Sequence, residues 1–128
     1  MIGEGGPGWR LSRDPDRGKF SVLVEGETWA FELTEEEGRV LASLVNALFE
    51  QHLELQSQLM AEEAITLEIE RAPWWGCLDG DRDSWSLQLI LSGGEDEESL
   101  RGVEVSWSAP SAQEVAIAMR KMWEYPLS

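Results

Sequence analysis

Cysteine and histidine occur once each in this chain of 128 residues, as Cys77 and His52, and 10 lysines and arginines stand against 25 aspartates and glutamates. A single cysteine excludes an internal disulfide and any multi-cysteine zinc site. A single histidine removes most histidine-based catalytic and metal-binding sets. No apolar run reaches the roughly eighteen residues that span a bilayer. Met1-Ile2-Gly3-Glu4-Gly5-Gly6 has neither the positive start nor the apolar stretch of a signal peptide. What is present is a hydrophobic fraction of 42%, enough for a packed core, in a length that suits one domain. The expectation is a single-domain, cytoplasmic protein with no membrane partner.

The formal charge of −15 is spread evenly: residues 1–64 hold 13 acidic and 5 basic side chains, and residues 65–128 hold 12 and 5. Proteins that bind phosphate backbones gain affinity when Lys and Arg displace counterions, so this field disfavours nucleic acid and anionic lipid. The one basic concentration is Arg10, Arg13, Arg17 and Lys19, with Asp14 and Asp16 among them. It reads as a solvated turn with internal ion pairs rather than an anion site.

Along the chain, short strands are expected at Gly8–Ser12, Phe20–Glu25 and Thr28–Leu33, the last two forming a hairpin about Gly26-Glu27. Thr34-Glu35-Glu36-Glu37 is a capping box, in which the Thr34 hydroxyl accepts from the Glu37 amide and the Glu37 carboxylate from the Thr34 amide. Behind it Leu41, Val45, Leu48, His52, Leu55 and Leu59 recur at helical spacing, widened by Leu44, Phe49 and Leu53. This predicts one long helix over about residues 34–60, about 40 Å in length. Ala64–Glu70 alternates as a strand, and Pro73–Leu78 reads as irregular or edge-strand because proline cannot donate to an interior ladder. Ser84–Ser92 and Gly102–Trp107 read as strands about an acidic loop at Gly93–Ser99. A second capping box, Ser111 to Glu114, opens a shorter helix over about 111–123, with Val115, Met119, Met122 and Trp123 on its apolar side.

Two segments share an order of residues. Asp16-Arg17-Gly18-Lys19-Phe20-Ser21 and Asp81-Arg82-Asp83-Ser84-Trp85-Ser86 both read Asp-Arg, two residues, an aromatic, then Ser. Trp9 precedes the first and Trp75 the second at nearly equal distance, and each continues to a strand and a helix. The fold expected is α+β, a pseudo-two-fold duplication of an antiparallel hairpin or sheet plus a helix, with repeats at about 8–60 and 64–123. Each helix covers a sheet, and the sheet of the other half is one option.

Three constellations bear on chemistry. Asp79, Asp81 and Asp83 space their carboxylates like the start of a calcium loop, but Ser84 and Ile90 occupy the positions where that loop needs glycine and a carboxylate, so a structural turn is expected. His52 on the apolar stripe reads as a packed residue, and Cys77 as a small buried hydrophobe. No enzymatic activity and no cofactor is expected. The seven tryptophans are mostly core, except that Trp74 and Trp75 are adjacent and so point to opposite sides of an extended chain. The more exposed of the two, with Arg71 beside them, is the candidate partner-binding site, and the charge favours a protein partner. Either a monomer or a homodimer satisfies this architecture.

Gly8-Trp9-Arg10-Leu11, Met60-Ala61-Glu62-Glu63 and especially the run from Glu70 through Pro73-Trp74-Trp75-Gly76-Cys77 to Trp85 resemble a small cyanobacterial family, the domain of unknown function 1818. The resemblance covers roughly Gly8 to Trp123. It implies a fold similar to the Whirly type of single-stranded-DNA-binding transcriptional regulators, in which a four-strand-plus-helix motif occurs twice. The basic, lysine-containing strand motif by which Whirly proteins engage DNA has no match here, so no DNA-contacting residue carries over.

Overall fold

A computed structural model describes residues 1–92 and 102–124. Four strands, β1 (Ile2–Gly6), β2 (Trp9–Arg13), β3 (Val22–Glu25) and β4 (Ala30–Leu33), lead into helix α1 (Glu35–Gln56). Four more, β5 (Ile65–Arg71), β6 (Trp74–Gly80), β7 (Trp85–Leu91) and β8 (Val103–Trp107), lead into α2 (Ser111–Glu124). Each set forms its own antiparallel sheet in sequence order. The expected acidic loop at Gly93–Ser99 lies outside the described residues.

The helices are exchanged between the sheets. Helix α1 follows the first sheet but lies across β5 and β6 of the second, whereas α2 follows the second sheet and lies across β1 and β2 of the first. Gly76 on β6 lets α1 come close. A methyl group there would collide with Leu44 of the helix and Leu89 of β7, so the missing side chain is the notch into which α1 settles. Leu11, Val22, Val24 and Leu33 from one sheet and Leu78, Leu87, Leu89 and Val105 from the other join Leu41, Leu44, Val45 and Leu48 of α1 and Val115, Met119 and Met122 of α2 in one core.

Three indole N–H groups sew the halves together. Trp9 of β2 donates to a Glu114 carboxylate oxygen on α2 at 2.7 Å, Trp74 of β6 to the Glu37 carbonyl in the first turn of α1 at 2.9 Å, and Trp107 of β8 to the Glu25 carbonyl of β3 at 3.1 Å. A buried indole must place its N–H on an acceptor, so each fixes orientation as well as filling volume. Arg13 ties the ends of both helices to β2. Its guanidinium donates to Glu35 at the start of α1 and to the Met122 carbonyl near the end of α2, and it stacks 3.8 Å from the centroid of the Trp123 ring. Burial pushes the Glu35 carboxyl up, but hydrogen bonds from Arg13 and Ser21, with the charge of Arg13, outweigh it and hold the group below the usual carboxylate range.

Several expectations are corrected. The glycine-rich start, where no strand is expected, forms β1, paired with β2 from Ile2↔Arg13 to Gly6↔Trp9. Its glycines carry no hydrophobic alternation, and backbone pairing alone makes it a strand. Pro73 does not demote the strand behind it: the proline sits in the β5–β6 connection, and β6 is interior, bonded on both sides. Helix α1 opens with the expected capping box, Thr34 and Glu37 exchanging bonds of 3.1 and 2.9 Å. It ends at Gln56 rather than near Met60, where three-residue bonds (Gln58 to Leu55, Leu59 to Gln56) tighten the chain, and Leu53 of its predicted stripe is exposed.

The second capping box does not form. Ser111 lies inside α2 and its hydroxyl donates to the Pro7 carbonyl, while Glu114 is taken by Trp9. Within the basic cluster, Arg17 donates to the Ser12 hydroxyl and the Ser21 carbonyl, while strand alternation sends Arg10 and Arg13 to opposite faces. There they meet Glu25 and Glu35 instead of Asp14 and Asp16. Trp9 and Trp74 are both buried, both open the second strand of a sheet, and each lies seven residues before an Asp-Arg pair.

Candidate partner-binding face

Strand alternation separates the two adjacent tryptophans. Trp74 points inward at 1% exposure, beside the start of α1, and Trp75 points outward from the second sheet and is partly exposed. Arg71 remains exposed but lies on the helix side of the sheet with Trp74, its register partner, and donates to the hydroxyl and carbonyl of Ser43 on α1. Of the three sequence candidates, Trp75 alone lies on the open face. Trp74 is a core residue and Arg71 a clasp between β5 and α1.

Register sets what surrounds Trp75. Across the sheet it lies in one row with Glu70 of β5, Ile90 of β7 and Glu104 of β8. The next row runs Glu68, Cys77, Gln88, Ser106, and Gln88 donates to Glu104 at 2.7 Å. The third runs Thr66, Asp79, Ser86, with the Thr66 hydroxyl donating to Asp79 at 2.8 Å. Ile90 has no sequence signature of its own: in a strand it looks like any alternate apolar residue, and only the register puts it beside Trp75.

The remaining sequence candidates are structural. Asp81 accepts from the amides of Asp83 and Ser84, which holds its carboxyl below the usual range and closes the β6–β7 turn. Asp83 pairs with Arg82, and Asp79 is taken by Thr66. Among the described residues, no three His, Cys, Asp or Glu side chains converge as a metal site. His52, 2% exposed, places Nε2 2.8 Å from the Asp81 carbonyl, and Gln56 donates to the Arg82 carbonyl, so α1 clamps this turn. The acceptor is a carbonyl, so Nε2 carries the proton. No described helix is long and apolar enough to cross a membrane.

Cys77 is partly buried, and its thiol is raised above the usual range by that burial and by the negative charges of Glu68 and Asp79. A raised thiol pKa leaves less thiolate at neutral pH. Alkylation of the folded protein by iodoacetamide at pH 7.5 is therefore expected to run about tenfold slower than in urea and to keep accelerating past pH 9. Equal rates in the two states would contradict this environment.

The architecture defines an α+β protein of two four-stranded antiparallel sheets and two helices. Residues 4–122 match the model of the domain of unknown function family DUF1818, and the chain belongs to that family. A crystal structure from the cyanobacterium Prochlorococcus sp. NATL2A, described as a protein with unknown function from the DUF155 family, is similar at TM-score 0.86 and 45% identity over 96% of this chain and 99% of its own. No curated protein matches the sequence.

Proposed function

We propose that this protein is a non-enzymatic interaction module of the cytoplasm that binds another protein through the outer face of its second sheet, anchored by Trp75. The observation that carries the reading is the contrast between the neighbours: Trp74 is fully committed to the core, while Trp75 stands partly exposed beside Ile90 on a face that neither helix covers. A partly exposed tryptophan next to a partly exposed aliphatic residue suits an interface anchor. Burial and the charges of Glu68 and Asp79 favour the protonated thiol of Cys77, and His52 Nε2 is bound to the Asp81 carbonyl, which supports a non-enzymatic reading.

The expected result is that Trp75→Ala, at unchanged fold, retains at least about tenfold less of the proteins that wild type captures from nuclease-treated cyanobacterial lysate. Unchanged retention would overturn the assignment of Trp75. A second reading is supported by the element order. Two runs of four strands and a helix, with the Asp-Arg segments in the same strand connection of each, fit a Whirly-like duplication and hence single-stranded nucleic acid binding. The charge of −15 weighs against it. Tryptophan quenching by an oligonucleotide that falls steeply with salt would reverse that preference.

A further inference from the structure

We infer that the partner presents a basic, extended segment in which an apolar residue is flanked at alternate positions by lysine or arginine. The inference rests on the interaction reading above and adds the chemistry of what docks. Three features of the face lead to it.

The first is charge. The described strand positions that face outward from this sheet carry Glu68, Glu70, Asp79 and Glu104, and no lysine or arginine. The nearest cation on these strands, Arg71, is held against Ser43 on the other side. The second is order. Glu70, Trp75, Ile90 and Glu104 are register partners in one row, so two apolar side chains are bracketed by a carboxylate at each end. The third is length. Three inter-strand steps span about 14 Å, and an extended chain covers about 13–14 Å between residues four apart. A basic residue, an apolar residue two positions on and a basic residue two further therefore match Glu70, the Trp75–Ile90 pair and Glu104 in sequence. A second copy of this chain fits poorly, since it would bring the same carboxylates against these.

The test is binding of three nine-residue peptides to the full chain, followed by tryptophan fluorescence and calorimetry. One carries a central leucine with lysines two positions to each side. The second replaces those lysines with serine, the third with glutamate. The expected result is that the lysine peptide binds at least about tenfold tighter than the serine peptide and that the glutamate peptide does not bind. Its affinity should fall about thirty-fold in Trp75→Ala, and its preference over the serine peptide should vanish in Glu70→Gln/Glu104→Gln and at high salt. If all three peptides bind equally and lose binding in Trp75→Ala, the docking face stands and the basic partner is wrong. If the lysine peptide binds no differently to Trp75→Ala or to the double variant, the site is elsewhere and the inference fails. If no peptide binds, the proposed chemistry fails, and the lysate comparison with Trp75→Ala separately decides whether the face docks a protein at all.

Discussion

Cut in the connection between Ser57 and Ala64 and purified apart, the two halves are each expected to be unfolded, and to regain structure only when mixed. The exchange of helices is the cause. In the first half, Leu41, Leu44, Val45 and Leu48 of α1 belong to a core shared with the second sheet, and the helix lies across β5 and β6, which that fragment lacks. Burying four aliphatic side chains supplies about 6–12 kcal/mol, comparable with the whole stability of a domain this size, about 5–15 kcal/mol. The second half loses in the same way, because α2 seats on β1 and β2 and the Trp9 indole that anchors Glu114 is absent. Far-UV circular dichroism of each fragment and of an equimolar mixture gives the answer. A cooperative melt from residues 1–60 alone would show that the exchanged packing is dispensable.

Alanine at two neighbouring positions is expected to give opposite outcomes. Trp74→Ala removes a fully buried indole, opens a cavity and leaves the Glu37 carbonyl without its donor. Large aromatic deletions in cores cost about 3–5 kcal/mol, which corresponds to a fall in melting temperature of roughly 10–25 °C. Trp75→Ala removes a partly exposed ring from the outer face and is expected to cost less than about 1.5 kcal/mol. Thermal melts of both variants test the pair. Equal losses would mean that Trp75 contributes to folding much as Trp74 does, and its value as a binding residue would need another basis.

Much of this architecture was readable from periodicity. The alternation of Ile65, Leu67 and Ile69 and the three-four spacing of α1 mark elements whose one-sided burial is written in the residues. What was not readable came from pairing and tertiary contact. Strand β1 consists largely of glycine and is fixed by the backbone of β2, which no hydropathy pattern records. Pro73 suggested an edge because a proline inside a central strand would lose a ladder bond, yet it stands one residue before the strand and its carbonyl accepts from Ser92. Ser111 and Glu114 have the spacing of a capping box, but Pro7 and Trp9, over a hundred residues away in sequence, compete for both side chains. At the candidate site, the separation of Trp74 from Trp75 follows from strand alternation, whereas the bracket of Glu70, Ile90 and Glu104 requires the register of four strands.

The exchanged helices also impose an order on synthesis. When α1 has left the ribosome, the strand that receives it is still incomplete: β6 ends at Gly80, about two dozen residues later, or about 1–5 s at typical elongation rates. The first sheet waits longer, until α2 arrives at residues 111–124. The nascent chain therefore carries an amphipathic helix whose apolar side has no seat while those two dozen residues are made. Its 13 acidic against 5 basic residues over positions 1–64 give neighbouring nascent chains a mutual repulsion during that interval, so the acidity of the first half protects it before it has a fold.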